Sequence, residues 1–259
     1  MLLAGKRTIV TGGVTGIGRA TVLAMVREGA AVVTMSRAPT DAPRTVETLE
    51  AAHRLGAGPI THVTIDVSSQ SSVDRAFAEA IDAMGGLDAL VNSAGIESQK
   101  PTEELTATDF LEQFSIHVLG TAFTNTAALR FMKERGGSIV NTASRAGLIG
   151  VPNMAAYSAA KAGVIAYSRL VAREWGRYGI RVNATVPSAR TAMYTNWVSG
   201  LSPDQQAQVE NMLSKEIPLR GELRGPEEAA HLNVFLVSDL SSYITGQLIP
   251  VDGGQVMVR

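Results

Sequence analysis

The sequence predicts an α/β fold, a doubly wound parallel sheet of seven strands with helices on both faces. Three observations carry this. Short β-branched runs alternate with longer amphipathic stretches along the whole chain, the pattern of repeated strand–helix–strand units. Most of these runs are continuously apolar, as expected for strands covered on both faces. The first run leads directly into a glycine-rich segment that opens the first helical pattern.

In chain order, strands are expected at 7–12 (RTIVTG), 30–36 (AAVVTMS), 60–66 (ITHVTID), 87–95 (LDALVNSAG), 137–144 (GSIVNTAS), 180–187 (IRVNATVP) and 247–254 (QLIPVDGG). Helical patterns lie near 17–28, 42–56, 70–84, 103–134, 153–178, 203–214 and 226–238. No long Pro/Gly/Ser linker and no internal repeat interrupts them, so 1–259 is read as one domain. The least regular part is 188–225, where Pro203, Pro218, Gly200, Gly221 and Gly225 surround Met193, Tyr194, Trp197 and Met212. It is expected to be an apolar flap over a substrate.

Composition narrows the function classes. The chain has 259 residues, 45% hydrophobic and 18% charged, enough for a sizeable core. A net charge of -1 gives no support for nucleic acid or an acidic membrane surface as partner. With no cysteine, disulfides and thiolate metal sites are excluded. The four histidines are scattered, without metal-ligand spacing, so no metal is expected. The N-terminus lacks the pattern of a signal peptide, and no apolar run reaches the roughly 18 residues of a membrane span. A cytoplasmic protein is the expectation.

The glycine segment TGGVTGIG (11–18) has a chemical use. Gly12, Gly16 and Gly18, with Thr15 and Ile17 between and beside them, let the backbone turn tightly and approach a pyrophosphate at a helix N-terminus. A glycine-rich turn without a ligand is the bland alternative. At the end of the second strand, an acidic residue favours the free 2′-hydroxyl of NAD, whereas an arginine accommodates the 2′-phosphate of NADP. Here Ser36 stands at that end and Arg37 follows, which favours NADP(H) over NAD(H). Asp66, beside Val67 after the third strand, is in place either to reach an adenine or to cap the next helix.

In AAYSAAKAG (155–163), Tyr157 and Lys161 are four residues apart in an alanine-rich helical run, so they share one face. A phenol has a pKa of about 10. A neighbouring ammonium is expected to lower it toward the range useful for acid–base catalysis.

Together, TGGVTGIG, NSAG (92–95), Ser144, YSAAK (157–161) and DGG (252–254) resemble the short-chain dehydrogenase/reductases in order and spacing, over essentially the whole chain. The resemblance implies a Rossmann-like fold, a nicotinamide cofactor, a small-molecule carbonyl or alcohol substrate and a homotetramer. It implies that Tyr157 is the general acid/base, that Lys161 tunes it and holds the nicotinamide ribose, and that Ser144 stabilises the substrate oxygen. It also implies that Asn92 steadies the central sheet, that Ala94, Gly95 and Pro187 line the cofactor, and that Thr191 meets the carboxamide.

Two positions depart from the family. Its usual asparagine, 27 residues before the serine, is His117 here. Either the imidazole replaces it in a proton relay and brings an acid limb to the pH profile, or the ring only satisfies backbone groups. The second departure is Ser188, where the family has a glycine after Pro187.

The expected activity is NADP(H)-dependent interconversion of a ketone and a secondary alcohol. The expected pocket walls are Leu148, Ile149, Val151, Met154, Met193, Tyr194 and Trp197, with Arg145 as a site for an anionic tail. The alternative enzyme is a 3-oxoacyl-carrier-protein reductase, docking an acidic carrier through Arg130, Lys133 and Arg135. An alternative of another class is a non-catalytic NADP(H)-binding redox sensor.

Overall fold

The structure, a computed structural model, describes residues 1–258 apart from the Met193 side chain. Runs rich in Val, Ile and Thr form the strands, because branched side chains suit a pleated, buried surface. These are β1 (Arg7–Thr11), β2 (Ala31–Ser36), β3 (Ile60–Thr64), β4 (Ala89–Asn92), β5 (Gly137–Thr142), β6 (Ile180–Pro187) and β7 (Leu248–Val251). They make one parallel sheet in the order β3-β2-β1-β4-β5-β6-β7. The chain steps outward from β1 to β3, then returns to place β4 beside β1. That reversal opens a crevice at the carboxyl ends of β1 and β4, where open α/β sheets bind ligands.

The helices are α1 (Gly16–Arg27), α2 (Pro43–His53), α3 (Gln70–Met84), α4 (Ala107–Gln113), α5 (Gly120–Met132), α6 (Ala155–Trp175), α7 (Ala192–Ser199), α8 (Pro203–Glu216) and α9 (Glu227–Val237). The two-residue period of each strand divides the core between them. Ile9, Leu90 and Ile139 pack with Phe77, Ala128 and Trp175 on one face. Their neighbours Val10, Val91 and Val140 pack with Val22, Met25 and Val234 on the other.

Several boundaries differ from the sequence expectation. The strand expected at 87–95 ends at Asn92. The Ser93 amide makes the last bond to β1, to the Thr11 carbonyl at 3.1 Å, and the Ala94 amide turns to the Thr11 hydroxyl. The helix expected over 103–134 is divided. A 3₁₀ turn at Thr102–Glu104 precedes a capping box between Thr106 and Asp109, which starts α4. A π-helical segment, Phe114–Leu119, then separates α4 from α5. Within 188–225, α7 is a helix the sequence did not announce; Thr191 caps it by accepting from the Tyr194 amide at 3.4 Å.

A buried polar chain crosses the sheet centre. Asn92 Nδ2 donates to Asn125 Oδ1 at 2.7 Å and to Asn141 Oδ1 at 2.9 Å. Thr11 donates to Asn92 Oδ1, and Asn141 Nδ2 donates to Ser168 Oγ. These bonds tie β1, β4, β5, α5 and α6 together where packing alone sets no register. Among the described residues every group of this network finds a partner except Asn125 Nδ2, and buried hydrogen-bonded networks of this kind favour one arrangement.

Candidate active site

The crevice at β1 and β4 holds a cavity of about 490 Å³, walled by Gly12, Val14, Thr15, Ser36, Arg37, Ala38, Arg44, Ile65, Asp66, Val67, Ala94, Gly95, Ile96 and Ile116. The glycines there are steric requirements. A Cβ on Gly12 would sit 2.7 Å from Ala94 Cα, and one on Gly18 would sit 2.2 Å from the Gly12 carbonyl oxygen. The tight turn therefore admits no side chain and brings the start of α1 to the crevice. Thr15, the N-cap of α1, makes no side-chain cap bond, so the first amides of the helix remain open to an anion.

At the far end of the cavity, the Arg37 and Arg44 side chains form no ion pair among the described residues. Asp66 Oδ1 accepts from the amide and hydroxyl of Ser68, while Ser69 caps α3. The carboxylate thus braces its own turn and still walls the cavity. Thr191 stands over Gly16, 3.7 Å from where a Cβ there would lie. A glycine cradle, an open helix start and two free guanidiniums fit a dinucleotide with pyrophosphate and adenosine ends.

Beyond the cavity, Ser144 lies two residues past β5, capping the 3₁₀ turn Arg145–Gly147, and Tyr157 and Lys161 project from the first turns of α6. Lys161 is buried; its ammonium donates to the Thr142 carbonyl at 2.8 Å and lies 5.7 Å from the Tyr157 ring centroid. Burial lowers it to about 8. Burial pushes the Tyr157 phenol up to about 12, the Ser144 hydroxyl pulling against this and the Glu97 carboxylate adding to it. The expected lowering of Tyr157 by its ammonium neighbour is corrected: desolvation raises the phenol, and what opposes it is the Ser144 hydroxyl.

His117 comes to the same place on the π-helical segment. Its ring meets Tyr157 edge-on, centroids 5.3 Å apart at 83°. Nε2 donates to the Ile96 carbonyl at 2.8 Å, and the buried Nδ1 has no partner among the described residues. Burial, then the Lys161 charge, holds the imidazole down at about 3, against the Ile96 carbonyl. The acid limb expected from a titrating relay histidine is therefore corrected, since the ring is neutral through the working range.

The shift has a consequence for stability. An unfolded histidine takes a proton near 6.5, whereas the folded one resists it down to about 3. Stability is thus lost as pH falls from 6.5 toward 3. Thermal melts of wild type beside His117→Asn, run from pH 7 to 4, are expected to show the wild type losing more Tm. Parallel curves would contradict a buried neutral ring.

The expected pocket residues divide. Met154 is buried at the start of α6, and Leu148 packs against the cluster of Ala143, Ile165, Ala184 and Val186. Tyr194 and Trp197 on α7 pair at 5.9 Å, with Arg190 over the Tyr194 ring and Trp197 43% exposed. The Met193 side chain lies outside the described residues. Arg145 reaches Glu216 of α8 at 3.4 Å. Glu216 also accepts from Gln255, whose own carbonyl oxygen accepts from the Ser188 hydroxyl. Ser188 is not among the positive-φ residues, which outside glycine are Asn153 and Arg220 among the described residues. A serine there costs no backbone strain and gains a partner.

Sequence reading missed Arg44, Glu97 and the Thr142 carbonyl. Arg44 reaches the site from the start of α2, Glu97 from the loop after β4 and the Thr142 carbonyl as a backbone group, and none carries a motif of its own.

The fold and this site define a nucleotide-binding oxidoreductase class, and the comparisons agree. A family described as enoyl-(acyl carrier protein) reductase matches residues 12–255. The chain is 38% identical over 256 residues to the 2,5-dichloro-2,5-cyclohexadiene-1,4-diol dehydrogenase of Sphingobium indicum, covering 97% of each. It is 34% identical to the 3-oxoacyl-acyl-carrier-protein reductase of Aquifex aeolicus, covering 97% of this chain and 98% of that one. The crystal structure of levodione reductase superposes with a TM-score of 0.90 at 32% identity, covering 98% of both. The chain belongs to the short-chain dehydrogenase/reductase family, whose members use a nicotinamide cofactor.

Proposed function

We propose that the protein is an NADP(H)-dependent oxidoreductase that interconverts a ketone and a secondary alcohol, with Tyr157 as general acid/base. The observation that carries this is the convergence of Ser144, Tyr157 and Lys161, with the phenol raised to about 12. At neutral pH Tyr157 holds the proton that carbonyl reduction consumes, and it passes that proton to the substrate oxygen. Ser144 donates a hydrogen bond to the same oxygen as charge develops on it. Lys161 is cationic below about 8 and stabilises the phenolate left behind. A bound nicotinamide supplies or accepts the hydride. NADP(H) is supported by the absence of a carboxylate at Ser36 and by Arg37 and Arg44, which have no ion-pair partner among the described residues.

The substrate is a small to medium, largely apolar molecule covered by the 188–225 flap of a single domain. The likeness to a cyclohexadiene-diol dehydrogenase favours an oxygen on a six-membered ring. A 3-oxoacyl-carrier-protein reductase is the second reading, on the likeness to the Aquifex aeolicus enzyme. Its basic docking rim is weakened, because Arg130 is held by Asp74 at 2.8 Å and Lys133 lies over the Tyr178 ring.

The test follows NADPH and NADH consumption with cyclic ketones, linear ketones and 3-oxoacyl thioesters. Cyclic ketones with NADPH are expected to give the highest kcat/KM. A preference for acyl thioesters would replace the first reading with the second, and no turnover of any carbonyl would remove both.

A further inference from the structure

The adenosine end of the cavity rests on a buried polar relay that the dinucleotide reading does not use. His62 of β3 is 8% exposed and is not among the cavity walls. Its Nε2 lies 3.1 Å from Ser36 Oγ, and its Nδ1 lies 3.1 Å from Thr40 Oγ1. The single proton of the Ser36 hydroxyl is donated to the Ala38 carbonyl at 3.3 Å. Nε2–H is therefore the donor to Ser36 Oγ, and Nδ1 accepts from the Thr40 hydroxyl. Thr40, His62 and Ser36 thus form a chain in which every donor points the same way. It ends on a hydroxyl at the cavity wall beside Arg37.

Resting on the NADP(H) reading above, we propose that His62 is a specificity-determining positioning residue that holds the Ser36 hydroxyl as a hydrogen-bond donor to the 2′-phosphate of the cofactor. The bond from Ser36 to Ala38 is long and is the one given up. The hydroxyl proton swings to a phosphate oxygen while His62 continues to donate to Oγ. Aligned hydrogen bonds polarise one another, and a charged acceptor at the end of the chain draws most from that. A ribose 2′-hydroxyl is neutral and brings its own proton, so it gains little from the added donor. Burial lowers the His62 pKa, which keeps the ring in the neutral form the relay needs.

Dissociation constants for NADPH and NADH, read by fluorescence on the full chain, test this, with 2′,5′-ADP and 5′-AMP as competitors. His62→Leu is expected to weaken NADPH and 2′,5′-ADP on the order of tenfold and to change NADH and 5′-AMP less than about twofold. Ser36→Ala is expected to do the same. The double variant is expected to lose no more than the larger single loss, since both changes break one chain. His62→Gln, whose amide both donates and accepts, is expected to recover part of the affinity. If His62→Leu does not fold, Thr40→Val breaks the chain from an exposed position and should show a smaller loss confined to NADPH and 2′,5′-ADP, the ligands that carry a 2′-phosphate. Equal losses for NADPH and NADH, or fully additive losses in the double variant, would make His62 merely structural. A wild type that binds both cofactors equally overturns the NADP(H) reading and this inference together. A wild type that prefers NADPH, with the preference unchanged in a folded His62→Leu protein, overturns this inference alone.

Discussion

Tyr157→Phe is expected to lower kcat for ketone reduction by about 10²–10⁴-fold while leaving the NADPH dissociation constant nearly unchanged. Phenylalanine keeps the ring, and with it the edge contact to His117 at 5.3 Å, and deletes only the hydroxyl. Neither neighbouring titratable group is poised to replace it. His117 is deprotonated above about 3, and its Nε2 is committed to the Ile96 carbonyl. Lys161 is bound to the Thr142 carbonyl. Steady-state rates beside a fluorescence titration make the comparison. A variant retaining more than roughly a tenth of the wild-type rate would remove Tyr157 from the role. The wild-type pH profile supplies a second check. Tyr157 keeps its proton up to about 12, so reduction is expected to decline first near 8, where Lys161 loses its charge.

Arg37→Ala is expected to raise KM for NADPH by roughly 10- to 150-fold and to leave NADH little changed, as a charge-assisted hydrogen bond contributes about 1.5–3 kcal/mol. Arg37 has no carboxylate partner among the described residues, so its charge is available to a ligand. Arg44 at the start of α2 walls the same cavity, which places the single-variant loss toward the lower end of that range. Ser36→Asp is expected to reverse the preference by repelling the 2′-phosphate. The comparison is of kcat/KM with each cofactor at fixed ionic strength, because the contacts are exposed and screened by salt. Equal efficiencies with NADPH and NADH in the unmutated protein would leave Arg37 as a solvated surface group.

Features set by local geometry were legible in the amino-acid sequence. The doubly wound sheet was readable because hydrophobic period is local: Ile9 and Val10 go to opposite faces by the geometry of a strand alone. The glycine turn was readable because its requirement is steric, and the placement of Tyr157 and Lys161 because one helical turn sets it. The 103–134 segment was not, since its apolar pattern continues through the break. The capping box at Thr106 is a local signal, carried by Thr106 and Asp109, that the reading passed over, whereas the π-helical turn that carries His117 is settled by contacts with α6 and the 93–97 loop.

By itself, then, the sequence determined the succession of strands and most of the helices, the glycine cradle and the shared face of the Tyr157–Lys161 pair. Each follows from periodicity, backbone freedom or spacing within a few residues. Only the tertiary structure decided the electrostatics and the supports. Burial set Tyr157 near 12, Lys161 near 8 and His117 near 3, in the first case against the direction that neighbouring charge alone suggests. The fold also brought Arg44 to the crevice, His62 behind its Ser36 wall and Glu97 near Tyr157, each from a separate element. Desolvation and convergence depend on what surrounds a group in three dimensions, and no local window of sequence carries that information.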